Sequence, residues 1–268
     1  MLRLPFLRRS MPLVCLFSLL AGDMTGDLRI CALRISFLSD EDESTTGSGQ
    51  FLLESEGIDC DDYTIDPAPH DRSYFESQLK AVDGYFNSVS YGKFGIDLDQ
   101  STVFPFGEND SYALENSMNY YNPYDQSEIQ EERIIILFAD AIYKAYEIDQ
   151  IDFSTYDLVV VFHAGIGQDF SLPFLDPTPE DIPSTYVDNK MLLEHLASSS
   201  ISVGNHDISH GIILPETQNH LLFDIAETMF SDASEPCEYQ FGLTGTFALM
   251  IGFAVGIPPL WNIETGES

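Results

Sequence analysis

The chain has 268 residues, with 44 Asp and Glu against 11 Lys and Arg, a formal charge of −33, and a hydrophobic share of 44%. That apolar content supports a packed core and excludes an acidic disordered tail. The charge repels phosphate backbones and anionic lipid, so it argues against nucleic-acid partners and polybasic membrane modules; it leaves a solubilising surface or a cation such as calcium.

Residues 1–10 carry Arg3, Arg8 and Arg9 and no acid, and residues 11–22 (MPLVCLFSLLAG) are apolar over the length of an export-signal core. Residues 1–22 therefore read as a signal peptide and 23–268 as the mature domain. The apolar run is too short for a membrane span, and its loss would leave the chain still more negative. Cys31, Cys60 and Cys237 would remain, enough for one disulfide and one spare thiol in an oxidising compartment. Cys31 falls in a strand pattern, which favours Cys60–Cys237 as the pair. No C-x-x-C spacing suggests a cysteine-based zinc site.

In chain order, residues 28–38 alternate as a strand and 39–50 form an acidic Gly/Ser loop. Phe75, Leu79, Val82 and Phe86 recur at helical spacing, which predicts a helix over 72–89. One or two strands over 94–106 and an aromatic, Asn-rich loop over 112–124 follow. Acids open a second long helix at 128–148, where the helix dipole favours them. The continuous apolar run at 157–162 predicts a buried central strand. Residues 171–190, with four prolines, read as an ordered loop; helices are expected over 215–230 and 241–255. Strands alternating with helices suggest a single α/β or α+β domain.

Chemistry-bearing candidates are few. Gly165 and Gly167 follow the central strand, but Phe170 stands where a dinucleotide fingerprint needs its third glycine. His163, at that strand's end, is either functional or a hydrogen-bonded structural histidine. His206 and His210 are four apart, a metal-gripping spacing on a helix, although Gly204 and Gly211 bracket them. His70, His195 and His220 are isolated, with surface or capping roles expected. No G-x-S-x-G elbow supports a serine triad.

Three separated stretches carry a resemblance: DRSYFESQLKAVDGYFNSVSYGKF (71–94), FSTYDLVVVFHAGIGQDF (153–170) and FGLTGTFALMIGFAVGIPPLWNIETGES (241–268). In consistent order, they resemble the immune inhibitor A family of secreted zinc metallopeptidases. The family's motif is H-E-x-x-H-x-x-G-x-x-H/D: two histidines one helical turn apart hold zinc, and the Glu is the base for metal-bound water. Aligned on Gly256, Leu249 and Phe253 occupy the histidine positions, Met250 the Glu position and Pro259 that of the last ligand. These residues offer no hard donor and no base.

The resemblance implies a metzincin-like α/β (α+β) fold: a twisted mixed sheet with 157–162 near its centre and helices 72–89, 128–148 and 242–255 packed on it. It also implies an incomplete C-terminal subdomain, since family members continue past the position of Ser268. The expected function is that of a secreted, zinc-free, metallopeptidase-like module that binds a protein or peptide. One alternative is an active endopeptidase whose metal sits on His163, His206, His210 or an acid. The other is a calcium-dependent structural or adhesive protein.

Overall fold

The computed structural model describes residues 25–54, 65–124, 126–169, 175–222 and 237–258. Its centre is a six-stranded mixed sheet. Strand β1 (Gly26–Leu28) and β3 (Phe94–Ile96) form a separate parallel pair, while β2 (Ile30–Ser36) enters the main sheet. There β4 (Thr102–Phe104) and β5 (Tyr112–Ala113) pair successively with one edge of β2, and β6 (Leu158–Ile166) with the other. Beyond β6 come β10 (Gly211–Thr217) and the short edge strand β7 (Thr185–Val187), the one antiparallel member.

Alternation along the strands divides the core. Ile30, Ala32, Val160, Phe162, Ile212 and Leu214 face helices α1 (Arg72–Val89) and α5 (Leu243–Ala254). Cys31, Leu33, Ile35, Val159, Val161 and Ile213 face α3 (Ser127–Asp149). Both faces are covered, so β6 is buried at every position and runs continuously apolar from Leu158 to Phe162 rather than at alternate residues. Helix α1 begins where Asp71 accepts the Tyr74 N–H at 3.0 Å, and it buries Phe75, Leu79, Val82 and Phe86. Short α2 (Met118–Tyr121) and α4 (Asn189–Leu196) flank α3.

The α/β class and the helices at 72–89, 128–148 and 242–255 agree with the sequence reading. Three local expectations do not. The 112–124 stretch is not only loop, since it holds β5 and α2. The loop expected over 171–190 contains β7 and the start of α4. The helix expected from 215 begins instead as the end of β10, followed by β11 (His220–Leu222), which pairs with β12 (Cys237–Tyr239). Pro215 lies past the last β7 pairing, at Ile213, and next to an irregularity in the β6 register. A proline nitrogen is tolerated at such a place. Cys31 is buried with a free thiol, which burial pushes far above its usual range. The expected Cys60–Cys237 pairing, the signal peptide and residues 223–230 lie outside the described residues. No helix among the described residues is long and apolar enough to cross a membrane.

Candidate functional site

Helix α5 lies on the sheet through Leu243, Phe247 and Ile251, spaced by one turn. Its opposite side is what the resemblance singles out. Leu249 is 43% exposed, Phe253 is half-buried, and Met250 leans on the core of the α1 side. Pro259 lies outside the described residues. Leu249 and Phe253 line a groove of about 360 Å³ between α5 and α1, closed by Tyr85, Phe86 and Ile257. Ile257 folds back over the helix end beside Gly252, and its N–H donates to the Gly252 carbonyl at 2.8 Å. The donor set required for zinc is missing from this face: a thioether and two hydrocarbon side chains neither bind the ion nor lower the pKa of water. The residues do not fit the metal that the resemblance implies. Chemically the groove can take an apolar side chain and exclude water from it.

The histidine candidates do not converge. His206 lies not on a helix but on β9 (His206–Ile208), which forms a hairpin with β8 (Ile201–Val203) through Gly204 at φ +57°. Its Nε2 meets Asp152 at 3.0 Å. His210 immediately precedes β10, whose Gly211 pairs with Val159, whereas His163 pairs with Pro215. Four residues of strand, about 13 Å, separate the two registers, far more than two zinc bonds span. A metal shared by His163 and the 206–210 pair is therefore set aside. Among the described residues, no group of three His, Cys, Asp or Glu side chains is arranged to hold a metal ion.

His163 is fully buried beside Phe37, with Nδ1 2.8 Å from the Ala164 carbonyl. Burial lowers its pKa, so Nδ1–H donates and the ring is neutral. Its geometry is that of a core histidine.

The polar centre of the fold is one that sequence reasoning missed. His70, expected at the surface, is 1% exposed at the end of the sheet, and His220 is buried as well. The His70 Nδ1 lies 2.7 Å from Glu216 Oε2, and its Nε2 lies 2.8 Å from the Asp66 carbonyl. Glu216 also accepts the N–H of Leu52 at 2.8 Å and of Gly165 at 2.6 Å. One carboxylate thus ties two loops to neighbouring strands. The only sequence signal was an acid inside an otherwise apolar strand, Gly211–Thr217. A second buried acid, Asp181, accepts from the Thr46 N–H at 2.7 Å; burial raises its pKa to about 7.

Compared with known proteins, the chain matches no family model, no curated protein and no solved structure.

Proposed function

We propose that this chain is a secreted, metallopeptidase-like protein of the immune inhibitor A type that lacks zinc-dependent catalysis and binds a peptide in the groove along α5. The observation that carries the reading is the character of that groove. At the positions where the resemblance calls for two zinc ligands, the helix presents Leu249 and Phe253, and both line an apolar channel rather than a polar one. The mixed sheet with β6 central and three helices packed on it supports the resemblance. The occupant is an extended peptide that places an apolar side chain between Leu249 and Tyr85. Basic flanking residues suit a chain of charge −33.

The test joins metal content by mass spectrometry, a casein-type protease assay with added zinc, and binding of an arrayed library of basic–apolar peptides. Absence of zinc and of cleavage, with saturable binding of such peptides, is the expected result. Stoichiometric zinc with chelator-sensitive cleavage overturns it, as does failure of every apolar peptide to bind.

A further inference from the structure

The N-terminus of α5 is held from a distance. Its N-cap, Gly242, has no side chain to satisfy the first-turn N–H groups. Asp66 supplies that role, 177 residues away in sequence: the Leu243 N–H donates to Asp66 Oδ2 at 2.7 Å. The other Asp66 oxygen accepts from Gln78 of α1 at 3.0 Å, and Gln78 in turn accepts the Thr244 hydroxyl at 2.8 Å. A carboxylate at this position also opposes the positive end of the helix dipole. Asp66 sits at φ +53°, a conformation that a non-glycine residue holds only when its surroundings fix it. His70 contacts its carbonyl, while Gln240 accepts the N–H of the preceding Ile65 at 2.9 Å.

Both His70 nitrogens therefore face acceptors, a carboxylate oxygen and a carbonyl oxygen. A neutral imidazole has one N–H and can satisfy only one of them; the imidazolium satisfies both. We propose that His70 is a proton-operated latch: its protonated ring clamps the Asp66 turn to Glu216 and so secures the start of α5, and loss of the proton releases that end of the helix.

Groups from several elements face the ring. Strand β10 contributes Glu216, the preceding turn Asp66, and α1 the Tyr74 ring at 4.5 Å, whose hydroxyl donates to the Glu216 carbonyl. Behind Glu216, on β6, stands the neutral His163. Burial alone would lower the His70 pKa; the Glu216 carboxylate and the Asp66 carbonyl outweigh it, and the net direction is upward. The latch is accordingly shut below the ordinary histidine pKa of 6.5 and opens as pH rises through the higher value in the folded chain. The latch would act whatever the groove binds.

Two measurements on the full chain test it. Long-range proton–nitrogen correlation of the imidazoles reports the state of each His70 nitrogen. Hydrogen exchange, corrected for intrinsic rates, reports opening at Leu243 and the next turn of α5. At pH 6 both nitrogens are expected to carry protons. As the ring loses its proton, protection of the α5 first turn is expected to fall about tenfold, the scale of one charge-assisted hydrogen bond. Asp66→Asn keeps the carbonyl that His70 contacts but leaves one side-chain oxygen for two donors. In that variant His70 still titrates, while α5 exchange no longer follows it. A bare ring nitrogen at pH 6 overturns the proposal, and so does α5 protection that stays constant across the titration. Should the variant not fold, the wild-type titration alone decides.

Discussion

Gly165 and Glu216 join the two central strands at their C-terminal ends: the Gly165 N–H donates to Glu216 Oε1 at 2.6 Å. Gly165 does so at φ +94°, a conformation that an L side chain rarely adopts, and a Cβ there would stand 2.4 Å from the Met118 methyl. Gly165→Ala is expected to cost about 1–3 kcal/mol, mostly backbone strain, because the methionine tip can move. Chemical denaturation of Gly165→Ala with and without Met118→Ala separates the two causes. Full recovery in the double variant would show that the methyl contact, and not the backbone, dominates.

Removing the other partner acts through charge. Glu216→Gln leaves the His70 ring buried without its counter-charge, and breaking a buried pair from one side costs about 3–5 kcal/mol. Urea midpoints at pH 6 check this. A loss below about 1 kcal/mol, the scale of an exposed ion pair, would mean that the pair contributes little.

Asp181 gives a second, separate pH window. Its pKa rises from 3.8 to about 7, with burial the first cause, opposed by its bonds to Thr46 and Thr178. An acid whose pKa is raised on folding binds more protons folded than unfolded, so its contribution falls as pH climbs from about 4 to 7. At 1.36 kcal/mol per pKa unit the effect is of order 4 kcal/mol. Asp181→Asn should flatten the stability difference between pH 4 and 7 relative to wild type, read as melting temperature at each pH. The His70 window lies higher and should persist in that variant. An unchanged slope would place the ionisation of Asp181 elsewhere.

How much of this was legible in the sequence depended on whether the signal was local. Phe75, Leu79, Val82 and Phe86 announced α1 by spacing alone, and the apolar run at 158–162 announced a strand covered on both sides. Pro215 misled, because it reads as a helix start, yet it lies in β10 beyond the last β7 pairing and next to an irregularity in the β6 register, where a proline nitrogen is tolerated. For His206 and His210 the glycines that bracket the pair already argued against a helix, and Gly204 does turn the chain into a hairpin instead. His70 was invisible for a different reason. Its burial depends on Glu216, 146 residues away, and on a turn at Asp66 that no periodicity encodes.

The two sides of α5 should respond to mutation in opposite ways. Leu249 is 43% exposed and lines the groove, so Leu249→Asp is expected to change stability by less than about 0.5 kcal/mol. The same change should weaken an apolar peptide at least tenfold by placing a charge where its side chain packs. Phe247 is fully buried against Phe162, at 5.4 Å between ring centres, and Phe247→Ala should cost about 3–5 kcal/mol. Calorimetric melting together with peptide titration distinguishes them. Unchanged peptide affinity in Leu249→Asp would remove the groove as the binding site.

The register of the resemblance can itself be tested by introducing the chemistry that the resemblance implies. Leu249 and Phe253 are one turn apart on α5 and line the same groove, so Leu249→His and Phe253→His would aim two imidazoles into it. Met250→Glu adds the carboxylate that the family uses as base. Met250 now packs against the core, so this change is expected to cost stability, and the double histidine variant should be made first. The double variant should take up one zinc per chain, reversed by chelation, and its melting temperature should rise with zinc concentration. Because ion and peptide would share one channel, zinc should also change peptide affinity in that variant and have no effect on it in wild type. Two histidines at this spacing on any exposed helix can hold the ion, so uptake alone decides little; the coupling to the peptide is the informative result. Zinc uptake with unaltered peptide binding would separate the motif positions from the groove, and the metallopeptidase-like reading would lose its main support.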